Sequence, residues 1–132
     1  YRYPLGDYVY EFPAGLVEPG EAMTDAAVIE FHEETGLHLQ VIPADDMYTK
    51  PRFTTVGMTD EACGMVYGYA SGVPDNRFEE SSEDIQVVLA DKKEVRRILK
   101  EENVAMMFAY MLLHFLKSEG DPLGFVEMQE KR

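Results

Sequence analysis

The stretch that most restricts this chain is GLVEPGEAMTDAAVIEFHEETGL, residues 15–37, which carries six carboxylates and neither Lys nor Arg. Its second half reads as a helix from about Ala22 to Thr35, closed by Gly36, which tolerates the left-handed conformation of a C-cap. Ala22 offers no side-chain acceptor, leaving Thr24 or the Glu21 carboxylate to cap the start. Offsets of three and four residues put Glu30, Glu33 and Glu34 on one face of that helix. Ala27 and Phe31 fall on another stripe, suited to packing on a sheet. Like charges so spaced repel by roughly a few tenths of a kcal/mol per pair when exposed, and by more when partly buried. The face is therefore either a solvated acidic surface or a cation site. Three oxygen ligands without His or Cys suit Mg²⁺ or Mn²⁺, and Mg²⁺ favours a few carboxylates shared with substrate phosphates.

The charge balance narrows the partners. There are 25 acids against 12 bases, a formal net charge of −13, and ten acids but no Lys or Arg between Arg2 and Lys50. Nucleic-acid binding rests on Lys and Arg, so it is not expected. An anionic small-molecule substrate would have to arrive with cations. With 132 residues, 45% of them apolar, residues 1–132 are expected to form one globular domain. The single cysteine, Cys63, excludes an internal disulfide framework and fits a reducing compartment. No apolar run approaches the ~20 residues of a membrane span, and no signal peptide is visible, so a cytoplasmic location is expected.

Elsewhere, DYVYEF alternates and predicts a strand at about 7–12, stopped by PAG, with EPGE forming a turn. LHLQVI predicts a second strand. Residues 43–62 read as a long loop of the kind that often carries function. CGMVYGYASG and IQVVLA predict third and fourth strands, separated by the acidic loop PDNRFEESSED. DKKEVRRILKEE has helical spacing at Val95, Ile98 and Leu99, and a strongly apolar helix spans about 104–118. Met106, Met107 and Met111 in that last helix read as core or dimer packing. The order predicts an α/β fold with a mixed sheet.

The longer spacing of the acidic stretch resembles the Nudix box: Gly15, five residues, Glu21, seven residues, then IEFHEETGL. Gly15, Glu21, Glu30, Phe31, Glu33, Glu34, Gly36 and Leu37 match, and Ile29 stands where the family has Arg. In the family that Arg contacts a box carboxylate, so Ile29 implies a weaker hold on the cluster. YEFPAGLVEPGE, TTVGMTDE at 54–61 and SSEDIQVVLA are similar to segments of the ADP-ribose pyrophosphatase branch. The resemblance implies a Nudix-type α/β/α sandwich with a mixed β-sheet. It implies Mg²⁺ (or Mn²⁺) held by the Ala14 carbonyl, Glu30, Glu34 and Glu83, and catalytic roles for Glu33, Glu34, Glu83 and Glu80. The family's loop base can fall at Ser81, which cannot serve; Glu80 or Glu79 would have to substitute. Arg2 aligns with an arginine that contacts substrate phosphate, and Met58 and Glu61 fall in a substrate-side loop. Lys50 and Arg52 are read as free surface positions, with offsetting of phosphate charge as the alternative; His32, His38 and His114 match no ligand pattern and are read as structural.

Relatives of that branch carry strands before the YRYPLGDYVYEFPAG segment, so upstream N-terminal strands are expected to be missing here, and a homodimer is expected. The implied activity is Mg²⁺-dependent hydrolysis of the pyrophosphate bond in a nucleoside diphosphate derivative, most simply ADP-ribose or another nucleotide sugar. Ile29 and Ser81 leave open a catalytically weakened module that binds a nucleotide for regulation. An acidic interaction domain without phosphate chemistry is the third alternative.

Overall fold

The computed structural model describes residues 1–75, 77 and 84–127. The acidic stretch does form a helix, α1, Met23–Thr35. Ala22 gives it no side-chain cap, as expected. Gly36 ends it at φ 75°, donating its N–H to the His32 carbonyl at 2.8 Å. The Asp75 N–H donates to the Thr35 carbonyl at 2.7 Å, which lays the 73–75 segment on the cap. A Cβ on Gly36 would lie 2.6 Å from Asp75, so both backbone dihedral and contact require glycine there.

From Gly36 the chain turns straight into β1, His38–Val41, which pairs antiparallel with β4, Gly68–Ser71. His38 sits opposite Ser71 and Val41 opposite Gly68. Gly68 leaves no room for a side chain against the Gln40 carbonyl. The long loop expected at 43–62 contains order of its own. The Asp45 carboxylate accepts from the Met47 N–H and starts a one-turn helix, α2, Asp46–Thr49. A short antiparallel pair follows, β2 (Arg52–Phe53) with β3 (Ala62–Cys63).

Two further α-helices follow, and then a 3₁₀ turn, Gly124–Val126. α3, Lys92–Glu101, is capped by Asp91, whose carboxylate accepts from the Glu94 N–H at 2.9 Å. It buries Val95 and Ile98 and packs on α4, Met106–Lys117, which buries Phe108. The rest of the core is Ala26, Leu37, Tyr67 and Val126. Tyr67 ties the layers together: its hydroxyl donates to the Tyr48 carbonyl at 3.0 Å and lies 3.1 Å from Met111 Sδ. Burial, reinforced by Tyr48, pushes its phenol up to about 12.

The mixed α/β character expected from the sequence is met, but the sheets are small. Residues 7–12 run extended without a ladder. Two isolated bridges hold the segment: Asp7 to Arg2, antiparallel, and Tyr10 to Val104, parallel, the latter through Tyr10 N–H to Asn103 and Ala105 N–H to Tyr10. Phe12 then meets Phe108 with ring centroids 4.8 Å apart. Residues 85–90 form no strand either. An alternating pattern shows that a segment suits a pleated, half-buried surface; it does not supply the neighbouring strand. On α1 the most buried positions are Ala26 and Thr35, with Ala27 and Phe31 half-buried beside them. Among the described residues no helix is long and apolar enough to cross a membrane.

Candidate active site

Before α1, Glu18 and Glu21 close a turn. The Glu21 N–H donates to the Glu18 carbonyl at 3.0 Å, and the Glu18 N–H to the Glu21 carboxylate at 3.3 Å. Gly20 takes φ 82° there, a value its neighbours could not adopt cheaply. Glu21 thus shapes the entry to the helix. The turn sends residues 14–15 back across the acidic face of α1. The Ala14 N–H donates to Glu34 Oε2 at 3.1 Å. Gly15 lies so close to Glu30 that a Cβ would overlap its carboxyl group. Glu30 and Glu34, one turn apart, are both half-buried, as is Glu33. The two box carboxylates and the Ala14–Gly15 backbone therefore form one unit.

Arg2 joins this unit from the start of the chain. Its guanidinium makes a two-pronged contact with the Glu11 carboxylate, through Nε at 3.1 Å and through Nη2. The hydrogen bond and charge of Glu11 raise the Arg2 pKa, and Glu34 adds to the effect. Arg2 is the only Lys or Arg before Lys50, and the fold brings it within electrostatic reach of the box. Glu11 was not singled out by the sequence. The chain turns at residues 3–6 and bridges Arg2 to Asp7, and this turn brings the guanidinium to Glu11, nine positions on.

Met58 and Glu61 sit on the loop between β2 and β3. Met58 is at its exposed tip, where its N–H donates to the Thr55 carbonyl at 2.9 Å. Glu61 closes the base of the loop. Its N–H donates to Thr59 Oγ1 at 3.2 Å, its carbonyl accepts from the Thr54 N–H at 3.1 Å, and its carboxylate faces Thr54 Oγ1 at 3.4 Å. These contacts are local and give Glu61 a loop-shaping role. Glu79, Glu80, Ser81 and Glu83 lie outside the described residues. Ile29 is 50% exposed, so an arginine side chain would fit at that position without burying its charge. His32 stacks on His38 with centroids 4.8 Å apart, and its Nδ1 lies 3.3 Å from the Leu37 carbonyl.

Among the described residues no three His, Cys, Asp or Glu side chains gather into a cage for a metal ion. The donor set at the box is smaller and all oxygen: two carboxylates on one helix face and the adjoining backbone. That set fits Mg²⁺, which keeps several waters and is held by one or two carboxylates plus substrate phosphates.

The fold is of mixed α/β class, with the Ala14–Gly15 loop laid over an acidic helix face. The chain belongs to the Nudix family: the NUDIX domain model matches residues 2–107. It is 35% identical over 97 residues to the Caenorhabditis elegans protein named "Putative nudix hydrolase 2", covering 70% of this chain and 42% of that one. It is 53% identical over 36 residues to the mouse ADP-sugar pyrophosphatase, covering 27% of this chain and 16% of that one. A Schizosaccharomyces pombe protein named as an uncharacterized Nudix hydrolase is 39% identical over 59 residues, covering 44% and 29%. The matched region thus spans less than half the length of each of these relatives. No solved structure matches the chain significantly.

Proposed function

We propose that this protein is a pyrophosphohydrolase that cleaves the diphosphate linkage of a nucleotide sugar, with ADP-ribose the first candidate, in the presence of Mg²⁺ or Mn²⁺. The observation that carries it is the Ala14–Gly15 backbone held across Glu30 and Glu34, with Arg2 drawn up beside them by Glu11. The likeness of one short region to a protein named ADP-sugar pyrophosphatase supports the substrate class.

In this proposal the Ala14 carbonyl, Glu30, Glu34 and Glu83 hold the divalent cation. When bound, the cation supplies Lewis-acid stabilisation of phosphoryl charge and lowers the pKa of water. Glu33 and Glu34 keep the site negative until cation and substrate fill it. Arg2 takes a substrate phosphate oxygen, and Glu11 keeps the guanidinium aimed. Glu80 or Glu83 accepts the proton of the attacking water. Water adds to one phosphorus as the bridging P–O bond breaks, giving a nucleoside monophosphate and a sugar phosphate. Met58 and Glu61 lie on the substrate side of this scheme. A single domain, a homodimer, a cytoplasmic setting and no nucleic-acid partner complete it.

The test is to incubate the chain with ADP-ribose and Mg²⁺ and to measure AMP and ribose 5-phosphate. Turnover that needs the metal and is lost in Glu34→Gln supports the hydrolase. Ile29 favours one other reading, a module that binds a nucleotide without turning it over. Saturable ADP-ribose binding with no AMP formed would establish that module and overturn the enzyme.

A further inference from the structure

A second gathering of chemistry lies away from the acidic face. Met23, at the start of α1, touches Gly64, beside the Thr49 carbonyl. Past that point α2, β2 and α4 border a half-open cavity of about 320 Å³. Glu30 is seven residues further along α1, about 10 Å down its axis. Four methionines line the cavity: Met47, Met65, Met107 and Met111. Their thioethers are polarisable and their side chains adapt to a ligand's shape. Tyr48 and His114, edge to face with centroids 5.9 Å apart, add aromatic wall. The volume falls at the lower end of small-molecule sites.

The charges at this cavity are unusual for the chain. With 25 acids to 12 bases, cations are scarce, yet Lys50 and Arg52 both line it. They lie two residues apart on extended backbone, Lys50 at φ −53° and ψ 131°, so their side chains share one side. The Arg52 guanidinium is fixed by donating to the Met47 carbonyl at 2.9 Å. Among the described residues neither Lys50 nor Arg52 makes an ion pair. Of the two acids that shortly precede them in sequence, Asp45 is occupied as the cap of α2, and Asp46 makes no ion pair with either cation. Two cations without a carboxylate partner repel each other and attract an anion. A bare inorganic anion would gain nothing from four thioethers, and a neutral apolar molecule nothing from the cations.

We propose that this cavity binds a small organic acid, its aryl or short acyl body among the methionines and its carboxylate between Lys50 and Arg52. The site is separate from the carboxylate helix and does not rest on the hydrolase proposal. The test uses the full chain with ¹³C-methyl methionine and 2-naphthoate as probe, read by NMR. The methyl signals of Met47, Met65, Met107 and Met111 shift saturably, while those of the exposed Met58 and Met106 do not. Neutral 2-naphthamide binds about tenfold more weakly, the scale of one exposed ion pair with hydrogen bonding. EDTA leaves the titration unchanged. The double variant Lys50→Met, Arg52→Met loses the preference for the acid. Unmoved lining signals, equal binding of acid and amide by the natural chain, or displacement of naphthoate by equimolar inorganic phosphate each overturn the proposal. The acid-to-amide comparison on the unaltered chain decides the matter even if the variant fails to fold.

Discussion

A methyl group on Gly15 would occupy the space of the Glu30 carboxyl group. What it meets is the movable end of a half-exposed side chain, so Glu30 can swing aside at little cost to the fold. The Glu30 carboxylate would then leave its place beside Glu34. Gly15→Ala is therefore expected to keep its melting temperature within a few degrees, while Mn²⁺ affinity by proton relaxation falls about tenfold or more, the scale of losing one ligand or its support. Unchanged Mn²⁺ binding would remove Glu30 from the cation site. Glu11 poses a different question, because it touches Arg2 and not the box. Glu11→Gln keeps the shape and removes the charge that aims the guanidinium. If Arg2 meets substrate phosphate, KM for ADP-ribose rises several-fold with kcat less affected and substrate-free Mn²⁺ binding unaltered. A fall in kcat alone would argue against that role. Ile29→Arg adds a cation at an exposed position on the acidic helix and is expected to raise turnover. At this scale the box residues were legible because their spacing carries both a helix face and a glycine. Glu11 was not, because its importance comes from a partner nine positions away whose approach only the fold supplies.

Elements repeat the lesson through their ends. Gly36 was readable as a C-cap, yet the Asp75 backbone pressed against it was not. Gly36→Ala must place a side chain at φ 75° and push Asp75 away, so it should cost at least about 1 kcal/mol in urea unfolding. A neutral substitution would mean the 73–75 segment is free to move. α3 gives a pH signature. The hydrogen bond from Arg97 first, and its charge next, lower the Glu94 carboxyl from its ordinary 4.5. A carboxyl depressed by folding stabilises above its unfolded value and loses that contribution as pH falls through the folded value. The urea midpoint of the natural chain should thus exceed that of Glu94→Gln at pH 6, and the gap should close on acidification below 4.5. A gap that persists at about pH 3 would assign the effect to shape and not charge. Both helices were legible because 3.6-residue periodicity and caps are local. The strands at 7–12 and 85–90 were over-read because a strand depends on its neighbour. α2 was missed although Asp45 announced it as an N-cap, since one turn is too short to show a period.

For the whole molecule the telling quantity is surface. A compact monomer of 15.0 kDa exposes about 7000 Å², whereas this chain exposes 9966 Å², an excess of about 3000 Å². Much of what is exposed is apolar: Tyr3, Leu5 and Leu16 near the box loop, and Val28 and Ile29 on α1. A stable interface needs about 800 Å² per partner, well within that excess. The opposing force is the net charge of −13 on each copy. Apolar contact between like-charged copies strengthens with salt, because screening removes repulsion and leaves burial intact. Association through ion pairs would weaken instead. Light scattering at 50 mM and 500 mM NaCl separates the two. The expected result is a mass near twice 15.0 kDa, with tighter dimerisation in the higher salt. A dimer that dissociates as salt rises would be held by charge, contrary to the apolar surface. A monomer at both salts and at high concentration would leave the homodimer without support.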